Sequence, residues 1–340
     1  MKYEIIVTLG PASRTAAVWQ ELIKAGATQF RLNTSHLSPE DLAGWLDRLE
    51  EFFIARTPRI PLVLDLQGSK WRLGGFNAFE LEAGETVELM LGKSAEGSRR
   101  LPVPHADFFE AMATSDGELV LNDAKSRLKI VACGAEWARA TVVQGGVISA
   151  HKGITFRECT YRKEALNEKD RLILEQTGGR AGVRFAISYV RDAQEMQRYR
   201  AWLGEQVSLV AKLERRSALA EVVEIAAAAG EAWVCRGDMG AELGLAEMAR
   251  AVSQITRQLP QIGMPMVMAG QVLEHMTEQP AATRSEVCYL HDCLAAGYTG
   301  FVLSDETAIG RYPVESCRAA ALFLENGSPA PNPRLKAGEE

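Results

Sequence analysis

Eight times along its 340 residues the chain repeats a short apolar run of strand character followed by a segment with helical spacing. The runs lie at 3–10 (YEIIVTLG), 28–34 (TQFRLNT), 60–67 (IPLVLDLQ), 183–190 (VRFAISYV), 207–214 (VSLVAKLE), 232–236, 264–269 and 300–304 (GFVLS). Helical spacing is expected at 16–26, 38–55, 167–182, 192–203, 217–230, 246–263, within 271–297 and at 314–326. Ser38, with Asp41 three residues on, marks one helix start in the pattern of a capping box. Strands that are apolar without alternation belong to parallel sheets covered on both faces. Eight strand and helix units match the count of a closed (β/α)8 barrel, the TIM barrel of the α/β class. An open doubly wound sheet is the competing architecture, but the first strand is not followed by its GxGxxG turn.

One connection breaks the rhythm. From 68 to 154 no long helix with a core stripe occurs; Val, Leu and Thr runs alternate instead with Gly, Asn and Asp turns, as in GELVLNDAKSRLKIVACG and ARATVVQGG. The expected organisation is a barrel built from 1–67 and 155–327, with a small mainly β domain at 68–154 inserted after strand 3 as a lid. The Pro, Gly and charge of 328–340 predict a flexible tail.

Lys and Arg number 38 against 44 Asp and Glu, a formal net charge of −6. No basic surface therefore advertises a nucleic-acid or anionic-membrane partner. No apolar stretch approaches the roughly 20 residues that span a bilayer. The opening MKYE leads into a strand rather than a signal peptide, so a cytoplasmic location is expected. The six cysteines (Cys133, Cys159, Cys235, Cys288, Cys293, Cys317) show no CxxC spacing, which favours free thiols over a disulfide frame or a zinc site.

In a barrel of this kind chemistry sits at the C-terminal ends of the strands. Those ends carry Thr8; Arg31, Asn33 and Ser35; Asp65; Ser188; Lys212 and Glu214; Arg236 and Asp238; Gly270; and Ser304 with Glu306. Each charge alone reads as a surface salt bridge at a strand end. Gathered in one concave face they need something to bind, because uncompensated charge there is costly. The types suggest anion handling with a divalent metal: Glu214 and Asp238 as carboxylate ligands to Mg²⁺, Arg31 as a planar fork and Lys212 as a point charge for a phosphoryl group.

Several segments in one order carry a resemblance to a known family: TLGPAS (8–13), RLNTSH (31–36), LDLQGSKWRLG (64–74), AKLE (211–214), CRGDMGAELG (235–244), AGQVLEHM (269–276), TRSE (283–286) and LSDETAIGRYPVE (303–315). The chain resembles pyruvate kinase over nearly all of residues 1–326. The resemblance implies a barrel with a β domain inserted after the third strand, acting on phosphoenolpyruvate and ADP to give pyruvate and ATP. It implies Glu214 and Asp238 as ligands of Mg²⁺ (or Mn²⁺), and Lys212, Arg31 and Arg72 as catalytic groups around the transferring phosphoryl. Gly237 and Asp238 would give backbone N–H groups to the substrate carboxylate. Thr8, Pro11, Asn33, His36 and Lys152 would surround the nucleotide, and Ser304 and Glu306 would deliver the proton to enolpyruvate. The chemistry implied is positioning and charge neutralisation of a loose phosphoryl transition state, then protonation of an enolate.

The departures from the family pattern carry expectations of their own. Members that need K⁺ have threonine, lysine and glutamate in the segment after Asp65, where this chain has Leu66, Gln67 and Lys70. The resemblance is therefore to the potassium-independent branch, with the Lys70 ammonium standing in for K⁺ beside Asn33, Ser35 and Asp65. On its own, Lys70 reads as a solvent-facing lysine. Gly270 replaces a threonine at the substrate carboxylate, a lost hydrogen bond that should cost about 1.5 to 3 kcal/mol. Asp305, Ile309, Leu37 and His151 also depart from the pattern. The sequence ends after the eighth helix, so the sugar-phosphate effector domain of the family is expected to be absent. A homo-oligomer through barrel contacts is compatible with the pattern.

Two other readings compete with phosphoryl transfer. A lyase or decarboxylase of the phosphoenolpyruvate/pyruvate barrel type, acting on an oxaloacetate-like acid, would keep Glu214 and Asp238 but have no use for Thr8, Asn33, His36 and Lys152. A catalytically impaired paralogue that binds metabolites fits Gly270 and the short chain. His105, His275 and His291 match no site position and read as ordinary surface or core residues. Trp19, Trp45, Trp137 and Trp202 read as packing residues.

Overall fold

A computed structural model describes residues 1–54, 59–97, 99–112, 115, 117–121, 125–157, 159 and 166–325. The tail at 328–340, expected to be flexible, lies outside the described residues, as does the end of the expected last helix. Eight parallel strands, Glu4–Thr8, Gln29–Asn33, Leu62–Leu66, Val183–Ile187, Ser208–Leu213, Ala232–Cys235, Met266–Ala269 and Gly300–Leu303, follow one another around a closed barrel. The first strand closes it on the eighth, with Glu4 opposite Gly300 and Val7 opposite Leu303. Closure abolishes both sheet edges and leaves every strand covered by helices outside.

Alternation along the strands divides the barrel interior into layers. Ile6, Val63, Ala186, Val210, Trp233, Val267 and Val302 form an apolar middle. Two residues before them lies a buried polar layer. There Arg184 donates to Gln29 at 2.7 Å, to Ser208 at 3.0 Å and to Glu231 at 2.5 Å, while Trp233 Nε1 donates to Glu231 at 2.8 Å. Two residues after the apolar middle come Thr8, Asp65, Ser188, Lys212, Cys235, Ala269 and Ser304. One register thus carries polar groups from five different strands to the C-terminal mouth.

The outer helices begin where the side chains predict. Thr15, Asn167, Asp192 and Thr283 cap the helices Ala16–Lys24, Glu168–Thr177, Ala193–Leu203 and Arg284–Ala296, each accepting a first-turn N–H. Ser38 accepts the Asp41 N–H at 3.0 Å before the helix Pro39–Ile54. Two helical expectations are corrected. The segment 217–230 divides into a short 3₁₀ turn Ser217–Ala220 and the helix Val222–Ala229, and an extra helix, Arg236–Leu243, precedes Leu245–Ile262. Trp19 and Trp45 are buried with rings 6.1 Å apart, but Trp137 and Trp202 are about half exposed and pack only in part. All six cysteines are free thiols.

After the third barrel strand the chain leaves for a six-stranded sheet whose order is Ile154–Phe156, Glu118–Leu121, Ser126–Cys133, Trp137–Gln144, Thr86–Leu91 and Arg100–Val103. The strand Ile154–Phe156 straddles the boundary expected at 154/155, because it pairs antiparallel with Glu118–Leu121. This domain has its own core, in which Trp71, Phe108 and Phe156 pack with ring centroids 4.8 to 5.9 Å apart. A short helix, Ala106–Ala111, contributes Asp107, which accepts the Trp71 indole N–H at 2.9 Å. The outgoing and returning chains lie side by side: Leu73 N donates to Lys152 O at 2.9 Å, and Ile154 N to Trp71 O at 3.1 Å. That crossing fixes Lys70, Arg72, Lys152 and Gly153 over the mouth of the barrel.

Candidate active site

Asp65 is the centre of the mouth. It is 2% exposed. One carboxylate oxygen accepts from Arg31 Nε at 2.8 Å and lies 2.6 Å from its terminal nitrogen; the other accepts from Lys212 Nζ at 3.0 Å and Ser188 Oγ at 3.2 Å. Burial opposes its charge, but Lys212 and then Arg31 outweigh burial and hold the carboxyl below its ordinary range. The fork of Arg31 continues to Thr8, whose hydroxyl accepts at 2.6 Å and donates to Leu303 O at 2.7 Å. Sequence alone names these residues separately; the shared register joins them.

Lys212 Nζ also donates to Ser188 Oγ at 2.7 Å and lies 3.0 Å from Glu214 Oε1. Burial works against the ammonium, yet Asp65 and Glu214 prevail and keep it charged well above the usual lysine range. The other oxygen of Glu214 accepts the Tyr189 N–H at 2.8 Å. Tyr189, which the sequence reading did not single out, has φ 59°, a left-handed turn that points its N–H into the site. Burial, reinforced by Asp238, raises the Glu214 carboxyl against the pull of Lys212. Asp238 shifts the other way, because Lys70 bonds it and offsets burial.

The position of Lys70 corrects the expectation that its ammonium sits among Asn33, Ser35 and Asp65. The ammonium bonds Asp238 Oδ1 and lies 5.8 Å from the centre of the Tyr189 ring. Asp65 already has its oxygens occupied by Arg31, Lys212 and Ser188, whereas Asp238 is the carboxylate still short of a cation. Asn33 is engaged locally, its Oδ1 accepting Ser35 N at 3.2 Å. Lys70 is 8% exposed, so the solvent-facing alternative is also excluded.

Glu214 is a buried carboxylate and Asp238 a partly buried one on the neighbouring element, and each has an ammonium beside it, Lys212 for Glu214 and Lys70 for Asp238. Set close enough that Asp238 raises the Glu214 carboxyl, the pair suits a divalent cation that takes two protein oxygens and keeps its other positions for water and substrate. Among the described residues no third His, Cys, Asp or Glu joins them. Asp238 lies in the first turn of Arg236–Leu243. The first N–H groups of a helix lack intrahelical acceptors, and a side chain built at Gly237 would meet nothing within 4 Å. A substrate carboxylate therefore has room to approach the amides of Gly237 and Asp238.

Gly270 is more than a missing hydroxyl. Its φ is 85°, a Cβ there would stand 3.0 Å from Gly237 N, and its carbonyl accepts from Arg236 at 2.6 and 3.0 Å. The backbone itself differs from what a threonine tolerates. Nearby, Glu306 is fully buried and accepts Leu273 N at 3.0 Å and Ser304 N at 2.6 Å. Burial raises its carboxyl, and those amides partly offset the rise. Glu306 thus ties two strand ends together, with Ser304 at the mouth.

A ring of cations lies on the other side. The His36 imidazole, though its surface is exposed, is pushed below its ordinary range by partial desolvation and by the charges of Arg72, Lys152, Lys70 and Arg31. Arg72 donates to His151 O at 2.8 Å, and its Nε, though buried, has no hydrogen-bond partner among the described residues. His105, read from sequence as an ordinary residue, accepts Arg72 N at 3.2 Å. Lys169, also missed, braces the His36 turn by donating to Thr34 O at 2.6 Å and Leu37 O at 2.5 Å. Its position follows from the cap of Glu168–Thr177 and not from any local motif. Pro11 starts a 3₁₀ turn directly after the Thr8 strand end.

Residues 1–317 match the family model described as pyruvate kinase, barrel domain. The chain is 34% identical over 316 residues to a pyruvate kinase of Methylorubrum extorquens, covering 92% of this chain and 66% of that protein. It is 31% identical over 326 residues to one of Agrobacterium vitis (95% and 68%), and 30% identical over 318 residues to one of Aeropyrum pernix (92% and 68%). The chain thus spans about two thirds of the length of these curated relatives.

Proposed function

The chain belongs to the pyruvate kinase family, and from that premise we propose that the barrel mouth transfers the phosphoryl group of phosphoenolpyruvate to a nucleoside diphosphate. The observation that carries this reading is the convergence of Arg31, Lys212, Glu214 and Asp238 on one face, beneath cations delivered by the inserted domain. An oxaloacetate-type lyase has no use for that second set.

Arg31 spends three N–H groups on Asp65 and Thr8. A guanidinium has five, so two remain for phosphoryl oxygens. Lys212 has all three protons engaged, on Asp65, Ser188 and near Glu214, and adds a fixed charge that an incoming oxygen shares. Because these groups are buried and mutually braced, they need little reorganisation as charge spreads over the transferring phosphoryl. Glu214 and Asp238 would hold a divalent cation such as Mg²⁺ or Mn²⁺, which supplies charge neutralisation when bound. The amides of Gly237 and Asp238 orient the substrate carboxylate. Ser304, held by Glu306 at the mouth, carries the proton to the carbon that becomes the methyl of pyruvate. Arg72, Lys152 and His36 with Thr8, Pro11 and Asn33 receive the nucleotide.

Lys70 places a covalently attached charge in the site, which supports activity without K⁺. A coupled assay of pyruvate formation from phosphoenolpyruvate, ADP and Mg²⁺ tests the reading: turnover is expected, reduced at least a hundredfold in Lys212→Met, in the range of losing one preorganised charge contact at the transition state. Equal rates for the two proteins would overturn it.

A further inference from the structure

We infer that Lys70 is a built-in competitor for the divalent-cation site, and that Gly153 is the seat that lets it reach. This deepens the functional reading above and rests on it. Lys70 lies on the chain leaving the barrel, and Gly153 on the chain returning from the inserted domain, at the point where the two pair through Arg72 and Gly153. The Lys70 side chain crosses the bare face of Gly153. A Cβ added there would stand 2.6 Å from Lys70 Cε and 3.1 Å from Nζ. Past that crossing the ammonium bonds Asp238 and acts electrostatically on Glu214, which Lys212 already engages; Lys212 and Arg72 are the other cations facing Asp238. Asp238 is also one of the two carboxylates suited to a divalent cation. The ammonium and the cation want the same oxygen, so binding one requires displacing the other.

The consequence is an exchange of cations that sets metal affinity from within the chain. Lys70 needs no entropy of capture, being tethered, and the desolvated pair it forms is of the strong, charge-assisted kind. Removing it should tighten divalent-cation binding by roughly ten- to a hundredfold, the range spanned by such a bond. Mere removal of a nearby positive charge would also tighten binding, so Gly153 supplies the discriminating variant. Gly153→Ala keeps the charge and forces the end of the Lys70 side chain to shift from its present course.

Mn²⁺ binding, read from the free-ion electron paramagnetic resonance signal, tests this without recourse to turnover. Lys70→Met and Gly153→Ala are each expected to bind Mn²⁺ more tightly than the unaltered protein, and Gly153→Ala is expected to add nothing in the Lys70→Met background. Lys70→Gln provides a second neutral variant should Lys70→Met fold poorly. Unchanged or weaker binding in the neutral Lys70 variants would overturn the inference. A Gly153→Ala protein of normal affinity would overturn the role of Gly153 as the seat, the flexible lysine having stepped around the new methyl. Glu214→Gln separates the two layers: if it leaves Mn²⁺ affinity intact, the metal assignment itself falls, whereas loss of binding there with no effect at Lys70 sinks only the exchange.

Discussion

Replacing Asp65 by Asn keeps the shape of the most connected side chain in the barrel mouth and removes its charge. Two buried cations, Arg31 and Lys212, then face each other with no anion between them. Breaking a buried pair from one side costs about 3 to 5 kcal/mol. Taking about 2.1 cal/mol/K per residue, unfolding 340 residues carries an entropy near 0.7 kcal/mol/K, so Tm should fall by roughly 4 to 7 °C. The sign with pH follows from the depressed carboxyl. The contribution of Asp65 is fully present above its unfolded value near 4 and is lost as pH falls through the lower folded value. The gap in Tm between the two proteins should therefore hold from pH 8 to 5 and close only at more acidic pH. Because the deficit is an anion, phosphate should restore part of the Tm of Asp65→Asn and act less on the unaltered protein. Differential scanning calorimetry across pH and phosphate measures all of this. Glu231→Gln, at the opposite end of the barrel, is the control: it uncovers buried Arg184 and should lower Tm comparably while leaving catalysis nearly unchanged. A Tm for Asp65→Asn within 1 °C of the parent, or a gap that widens on acidification, would refute the reasoning.

Glu214→Gln removes one anionic ligand and should raise the Mg²⁺ concentration needed for half-maximal rate at least tenfold; a titration showing no shift would count against the metal assignment. Activity should be equal in K⁺ and tetramethylammonium buffers of the same ionic strength, and Lys70→Glu should be slower and respond to added K⁺. An unaltered protein that is silent without K⁺ would contradict that. Gly270→Thr should lower stability by about 1 kcal/mol or more, because φ 85° is strained for a β-branched residue, and should lower kcat/KM. A gain in both Tm and kcat/KM would mean that the loop relaxes to accept the side chain.

Much of the barrel was legible because one physical rule served twice. Apolar runs without alternation marked the strands, and the period of two that follows from strand geometry sends Thr8, Asp65, Ser188 and Lys212 to the same mouth. What was not legible depended on chain crossings. Lys70 looked suited to Asp65, and only the packing shows that Arg31, Lys212 and Ser188 already fill that carboxylate, leaving Asp238. The helix Arg236–Leu243 was missed because two glycines and a short span give no apolar stripe. Gly270 read as a lost hydroxyl, since a positive φ leaves no trace in a single sequence. Lys169 acts on backbone carbonyls more than 130 positions away, a distance across which local patterns carry no information.

The transfer itself can be watched by ³¹P nuclear magnetic resonance, with the full chain, Mg²⁺, phosphoenolpyruvate and ADP in one tube. The phosphoenolpyruvate resonance should decay while the three resonances of ATP grow in equal amount, and Lys212→Met should slow both together. Release of inorganic phosphate without ATP, or phosphoenolpyruvate left intact while oxaloacetate is consumed in a parallel sample, would contradict phosphoryl transfer to the nucleotide.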